Sequence, residues 1–215
     1  MRILNVVGDT QYGLLESDDL YEMTCLLGNA FSRHEPMAVA VGLPRVEVEA
    51  IVSAYGPKAL SEQLTVLARH VATGRLVGAM LTDDFGTPPP SGLEAAAPTF
   101  APIGVLLDGL DDEYRATRTI GPGTHLHLFM VAVAQDASSR GIASTLITEC
   151  MNNGKERGYT TAVTEATGSA SQHVFRRLGF EDLFLASYRH FVFGGQQVFS
   201  SIVNPEGTLL MVRDL

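Results

Sequence analysis

Hydrophobic and polar positions alternate along this chain in two distinct periods. Residues 2–7 form a short apolar run that stops at Gly8-Asp9 and reads as a strand. Ser17-Asp18-Asp19 then supplies an N-cap and two acidic first-turn residues ahead of Leu20, Met23, Thr24 and Leu27 at helical spacing. This helix is predicted to end near Phe31, because Pro36 drives Glu35 out of the helical region. Pro44 opens a second helix, predicted from Arg45 to about Tyr55 and stopped by Gly56-Pro57. Two β-rich runs follow, Leu64 to Val71 and Leu76 to Thr82, with 72–75 as a hairpin turn. Residues 86–102 carry Pro88-Pro89-Pro90 and read as an extended loop; a helix is predicted from Ile103 to about Ala116. The Asp111-Asp112-Glu113 run on that helix reads as a solvated acidic face. A buried strand is predicted over Thr124 to Val133, a helix from Gly141 to Gly158, a strand over Thr160 to Glu165 and a helix over Ser169 to Leu178. Further strands are expected at Phe184 to Phe193, Val198 to Val203 and Thr208 to Val212, with Gly194-Gly195 as a turn. The β-α-β-α-β order of the second half makes the class mixed α/β.

Composition narrows the picture. The chain has 215 residues, 46% hydrophobic and 18% charged, long enough to bury a sizeable core without disulfides or metals. Residues 1–215 are read as one domain, with 86–122 as an insertion or loop region. No apolar run approaches the ~20 residues of a membrane-spanning helix, and the amino terminus lacks a signal-peptide pattern. Cys25 and Cys150 stand alone, which suits a reducing, cytoplasmic setting and gives no metal motif. A net charge of -9 argues against nucleic acid and anionic membranes as partners and mildly favours cationic ones such as amines. Oligomeric state stays open, with a homodimer as a candidate.

The candidate chemistry centres on the loop after the predicted central strand. Strand, polar turn, glycine and helix present free amides and a helix dipole to a phosphate. Ser138, Ser139 and Arg140 add donors and charge, Gly141 allows close backbone approach, and Ala143 allows the helix to pack closely. An ordinary strand-to-helix turn would look the same on spacing alone. GxxxxGK[ST] and GxGxxG motifs are missing. His125 and His127 share a strand face. Three readings compete for them: core or wall residues, a proton path along a channel, or an HxH metal pair without an evident third ligand.

Val131-Ala132-Val133 followed by Ser138-Ser139-Arg140-Gly141-Ile142-Ala143 resembles the acetyl-CoA motif R/Q-x-x-G-x-G/A of GCN5-related N-acetyltransferases, with Ser138 in place of the first Arg or Gln. Phe175-Arg176-Arg177-Leu178-Gly179-Phe180 resembles that family's Y-x-k-L-G-F segment, with Phe175 replacing Tyr. Phe31 to Met37, with its Glu35-Pro36 pair, resembles the F-x-x-x-E-P segment of insect-type dopamine acetyltransferases, which points to the arylalkylamine branch. The resemblance implies a mostly antiparallel mixed sheet flanked by helices and splayed at the acetyl-CoA site. It implies acetyl-CoA as cosubstrate, held by Val131, Ala132, Val133, Ser138, Ser139, Arg140, Gly141, Ile142, Ala143 and Ser144, and no metal. It also implies a small primary amine as acceptor, attacking directly in a ternary complex. Such an amine is protonated at neutral pH, so a base is required. Glu35 takes that role by resemblance, with His127 and His125 as further proton carriers. Ser171, four residues after Thr167, is the candidate proton relay toward the leaving thiolate; a local cap is the alternative. A non-catalytic CoA-binding sensor and a protein-amine acetyltransferase are the rival functions.

Overall fold

The computed structural model describes residues 2–215. Its strands are β1 (Arg2–Val7), β2 (Thr10–Leu14), β3 (Val66–His70), β4 (Leu76–Asp84), β5 (His125–Val133), β6 (Thr161–Ala166), β7 (Glu181–Ser187) and β8 (Gly207–Asp214). The helices are α1 (Leu20–His34), α2 (Pro36–Val41), α3 (Arg45–Glu62), α4 (Leu93–Ala96), α5 (Ala101–Ala116), α6 (Ile142–Glu156) and α7 (Ser169–Arg177). The eight strands form one sheet in the order β1-β2-β3-β4-β5-β6-β8-β7. Every neighbouring pair is antiparallel except β5–β6. The expected mixed, mostly antiparallel sheet flanked by helices is therefore present.

Strand alternation sorts the core into two layers. Leu67, Ala79 and Leu81 face a cluster with Met23, Leu27, Val48, Ile51, Ile103 and Leu106 of α1, α3 and α5. Val66, Ala68, Val77 and Met80 face the opposite cluster, with Ile142, Leu146, Cys150 and Phe175 of α6 and α7. Gly78 permits the close approach of α6: a Cβ there would stand 3.0 Å from Ile142 and Leu146.

Several expectations need correction. Strand β2 was not foreseen; it is short and interrupted by Gly13, but Thr10, Tyr12 and Leu14 point inward in the required alternation. Helix α3 runs through Gly56-Pro57 to Glu62, where packing outweighs the one hydrogen bond a proline removes. The 86–102 stretch includes α4 and a 3-10 turn at Pro98–Phe100. The strand expected at 184–193 lies earlier, as β7. Residues 198–203 form turns in which Phe199 is buried and Val203 is 89% exposed. Gly194 and Gly195 do make a turn, at φ 56° and 79°, closed by a single Phe193–Gln196 bridge.

The feature that creates the site is a parting of strands. β5 and β6 pair only from His125–Thr161 to His127–Val163, although β5 continues to Val133 and β6 to Ala166. The Thr164 hydroxyl donates to the Leu128 carbonyl at 2.8 Å just where the gap begins. At the same level β5 has one extra residue, Phe129, opposite the Leu81–Thr82 step of β4. A bulge of this kind bends its strand.

Candidate active site

A cleft of about 370 Å³ occupies the gap. Its wall comprises Leu128 to Val133 from β5, Thr164 to Gly168 after the opening of β6, and side chains from both layers. Phe31, Met37, Ile51, Ile103 and Leu107 stand on one side of the sheet, with Ala143, Ile147, Val174 and Phe175 on the other. The cleft therefore passes through the sheet. Its lining is largely apolar, with Glu35 and Glu165 as its carboxylates.

Glu35 owes its place to Pro36. The residue before a proline avoids the helical region, and Glu35 has φ -75° and ψ 125°. It thereby ends α1 and caps α2, which starts with Pro36 at its first position. Its carboxylate accepts from the Met37 amide at 3.1 Å and from the Ala38 amide. Burial pushes its carboxyl above the ordinary value; the two amides and the Thr167 hydroxyl oppose that shift without cancelling it. Thr167 is fixed in turn, since its carbonyl accepts from the Tyr188 hydroxyl at 2.6 Å, and Thr208 donates to Tyr188 at 3.0 Å.

Ser171 lies on the cleft wall, and its hydroxyl is engaged locally. It donates to the Gly168 carbonyl at 2.8 Å and accepts from the Gly168 amide at 3.1 Å, which is the capping alternative weighed for it. Phe175 is buried edge-on to Phe180 at 5.0 Å and offers no proton.

The two histidines share a face and then diverge. Neither lines the cleft. His125 lies against Tyr114 and contacts the Thr124 hydroxyl; burial, then Arg118 and Arg115, lower its pKa. His127 lies behind Phe129, with ring centroids 5.3 Å apart. Its Nδ1 stands 2.9 Å from Asp83 and its Nε2 2.8 Å from Glu165. Carboxylates only accept, so both ring nitrogens carry protons. Burial alone would lower the His127 pKa, but Glu165 and Asp83 hold it well above the ordinary value. Lys58 reaches Asp83 at 3.3 Å. Among the described residues, no group of three or more His, Cys, Asp or Glu is arranged to hold a metal ion.

The glycine loop lies beyond the end of β5. Gly141 has φ 77° and Ser139 φ 64°, and α6 begins without a side-chain cap. Its first-turn amides, from Ile142 through Ala143 and Ser144, are thus open to a ligand. Ala143 and the Val131-Ala132-Val133 stretch line the cleft directly. Ser138, Ser139 and Gly141 are exposed at the surface end. Arg140 is exposed at the same end, and both Asp9 oxygens, on the β1–β2 turn, engage its guanidinium.

Lys58, Asp83 and Glu165 were not singled out from the sequence, and Asp111 was misread. Asp111 is half-buried, with its Oδ1 shut off from solvent and its carboxyl interacting with that of Glu165, while Asp112 and Glu113 are exposed as expected. Its spacing held a signal, since it follows Ile103 and Leu107 by eight and four residues on the inward face of α5.

No curated protein sequence matches the chain. Solved structures do. The C-terminal condensation domain of Ebony, in complex with beta-alanyl-dopamine, superposes with a TM-score of 0.87 at 15% identity, over 96% of this chain and 99% of that one. Arylalkylamine N-acetyltransferase 2 from Aedes aegypti gives 0.78 at 17%, over 96% and 99%. The polyamine N-acetyltransferase of Drosophila melanogaster gives 0.72 at 16%, over 96% and 100%. At these identities the likeness is one of fold. The family profile described as Acetyltransferase (GNAT) family matches residues 63–180, more than half of the chain. This protein belongs to the GNAT acetyltransferase family.

Proposed function

We propose that the protein transfers an acetyl group from acetyl-CoA to a small primary amine of the arylalkylamine type, by direct attack in a ternary complex. The observation that carries this reading is the Glu35 carboxylate on the wall of an apolar cleft that passes through the sheet. Acetyl-CoA supplies the acetyl thioester. The uncapped start of α6 and the loop around Gly141 would hold its pyrophosphate, and the Val131–Val133 stretch its pantetheine arm. Those amides of β5 beyond Leu128 that point away from β4 have lost β6 as a partner and are available to the thioester carbonyl. On the other side of the sheet, Phe31, Ile51, Ile103 and Leu107 suit an apolar amine body. A volume of about 370 Å³ falls in the range of small-molecule sites. Solved relatives named for arylalkylamines, agmatine and polyamines favour a small amine over a protein one.

Glu35 takes the ammonium proton. Its raised pKa makes it a stronger base than an ordinary carboxylate, and the Thr167 hydroxyl orients it. Phe175 gives the leaving thiolate no acid, and a thiol pKa near ~8.5 requires little assistance. The two unpaired cysteines suit a cytosolic location; Cys150, whose pKa burial pushes to about 12, is a packing residue and no nucleophile.

The test is calorimetric titration with acetyl-CoA, followed by a panel of small amines with detection of released thiol. Micromolar one-site binding and turnover of at least one amine are expected. Binding without turnover of any amine would make the protein a sensor, and a folded protein that binds no acetyl-CoA would overturn the reading.

A further inference from the structure

Helix α5 forms one wall of the cleft through Ile103 and Leu107. One turn further on, Asp111 meets Glu165 of β6, close enough for their carboxyl groups to hydrogen-bond. Yet Asp111 Oδ1 and Glu165 Oε1 are both buried with no donor among the described residues. Two ionised carboxylates side by side would repel, and each would keep an unsatisfied buried oxygen. One proton between the two atoms removes both problems.

We propose that Asp111 and Glu165 hold a single proton between them, and that this shared proton pins α5 against β6, making Asp111 a positioning residue for the amine-binding wall.

The proton belongs to Asp111. Glu165 faces the His127 imidazolium through its other oxygen; burial alone would raise its pKa, but the His127 charge together with the hydrogen bonds from His127 and Asp111 holds it below the ordinary value and keeps it ionised. Asp111 is pushed up to about 9, first by burial and then by the charge of Glu165. His127 on β5 and Arg115 on α5 itself act in the opposite direction and do not prevail. Asp83 on β4 acts on His127 and is paired with Lys58. Tyr55 on α3 feels the Asp111 charge, while Glu181 and Asp182 of β7 are exposed. The array sets two cations, Lys58 and His127, among the carboxylates Asp83 and Glu165, with Glu62 as a further partner of Lys58 at 2.6 Å, so no positive charge is left over to hold an ionised Asp111. Removing its proton leaves two adjacent negative charges across the α5–β6 contact, and repulsion moves the wall.

The substitution Asp111→Asn tests this, because an amide keeps a donor toward Glu165 and cannot ionise. The folded Asp111 pKa lies above its ordinary 3.8, so protonation favours the folded state and that advantage fades as pH rises toward 9. The unfolding midpoint of Asp111→Asn, relative to wild type, is therefore expected to climb between pH 5 and 9 and level off above. A difference equal at every pH would overturn the shared proton. The positioning role rests on the acetyltransferase reading: the wild-type KM for the amine is expected to rise several-fold above pH 9, and that of Asp111→Asn to stay level. Both proteins should keep the same pH course for kcat and for acetyl-CoA affinity. An identical KM course in the two would overturn the positioning role. Should Asp111→Asn fail to fold, infrared spectra of the Glu35→Gln protein decide: a protonated-carboxyl band at pH 7, lost near pH 9, is expected, and its absence overturns the proposal. A protein that acetylates no amine sinks the enzymatic reading alone, since the unfolding and infrared results need no turnover.

Discussion

The two ends of the cleft are built from different materials. The end proposed for the donor is mostly backbone: positive-φ residues at Ser139 and Gly141, an uncapped helix start and the released edge of β5. The end proposed for the amine is made of side chains drawn from α1, α2, α3, α5, β5 and β6, backed by carboxylates whose ionisation depends on one another. A backbone site specifies a ligand that is the same in every reaction, and needs only a few residues in a fixed local order. A side-chain site can change its ligand without altering the frame, and its members need no proximity in sequence.

The largest expected effect breaks the donor end alone. Gly141→Glu forces a side chain to φ 77°, at about 1–2 kcal/mol, and puts a carboxylate where a pyrophosphate should bind. Calorimetry should show acetyl-CoA affinity lowered by roughly 100-fold or more, with the circular dichroism of a folded protein. At the amine end, Glu35→Gln should lower kcat by about 10²–10³ and leave acetyl-CoA affinity unchanged, which stopped-flow and calorimetry would separate. In the wild type, kcat/KM should fall on the acid side as Glu35 takes up a proton, at a pH above the ordinary carboxylate range because its pKa is raised. An acid limb in the ordinary range would remove Glu35 from the role.

Stability sharpens the same contrast. Glu165→Ala leaves His127 and Asp111 without their shared partner, and chemical denaturation should show a loss of about 3–5 kcal/mol. Arg75→Ala, at the exposed pair with Asp136 (2.8 Å) near the donor loop, should cost under about 1 kcal/mol. The smallest kinetic effect is expected from Ser171→Ala. It removes a cap at about 0.5–2 kcal/mol of stability and should alter kcat by less than about tenfold. A larger fall would restore Ser171 as a relay.

How much of this the sequence disclosed follows from the same division. The central strand, the glycine loop and α6 are contiguous, so their pattern could be read directly, and the family profile covers them. Pro36 was read as a stop for α1, but it also starts α2, and only the two effects together explain why Glu35 turns its carboxylate back on two amides. The Lys58–Asp83–His127–Glu165–Asp111 array joins five elements. Periodicity shows which face a residue occupies and not what meets it there, so the His127 partners and the burial of Asp111 became visible only with strand order and register. Val198 to Val203 shows the reverse error: its composition favours a strand, but it pairs with no strand of the sheet and forms turns instead, with β8 already flanked by β6 and β7.

The early parting of β5 and β6 has a consequence for the life of the protein in a cell. A sheet unzipped beside its middle leaves room to be completed from outside, and acetyl-CoA bound as proposed would stand in for the absent stretch of strand. A ligand at a hundred times its dissociation constant adds about 2.7 kcal/mol to folding, a large share of what a marginally stable chain possesses. Amide hydrogens of Phe129 to Val133 would then exchange more slowly, and proteolytic half-life would lengthen, in step with the supply of donor. On the proposed function, the seam would make the abundance of the protein answerable to the metabolic state that supplies acetyl-CoA.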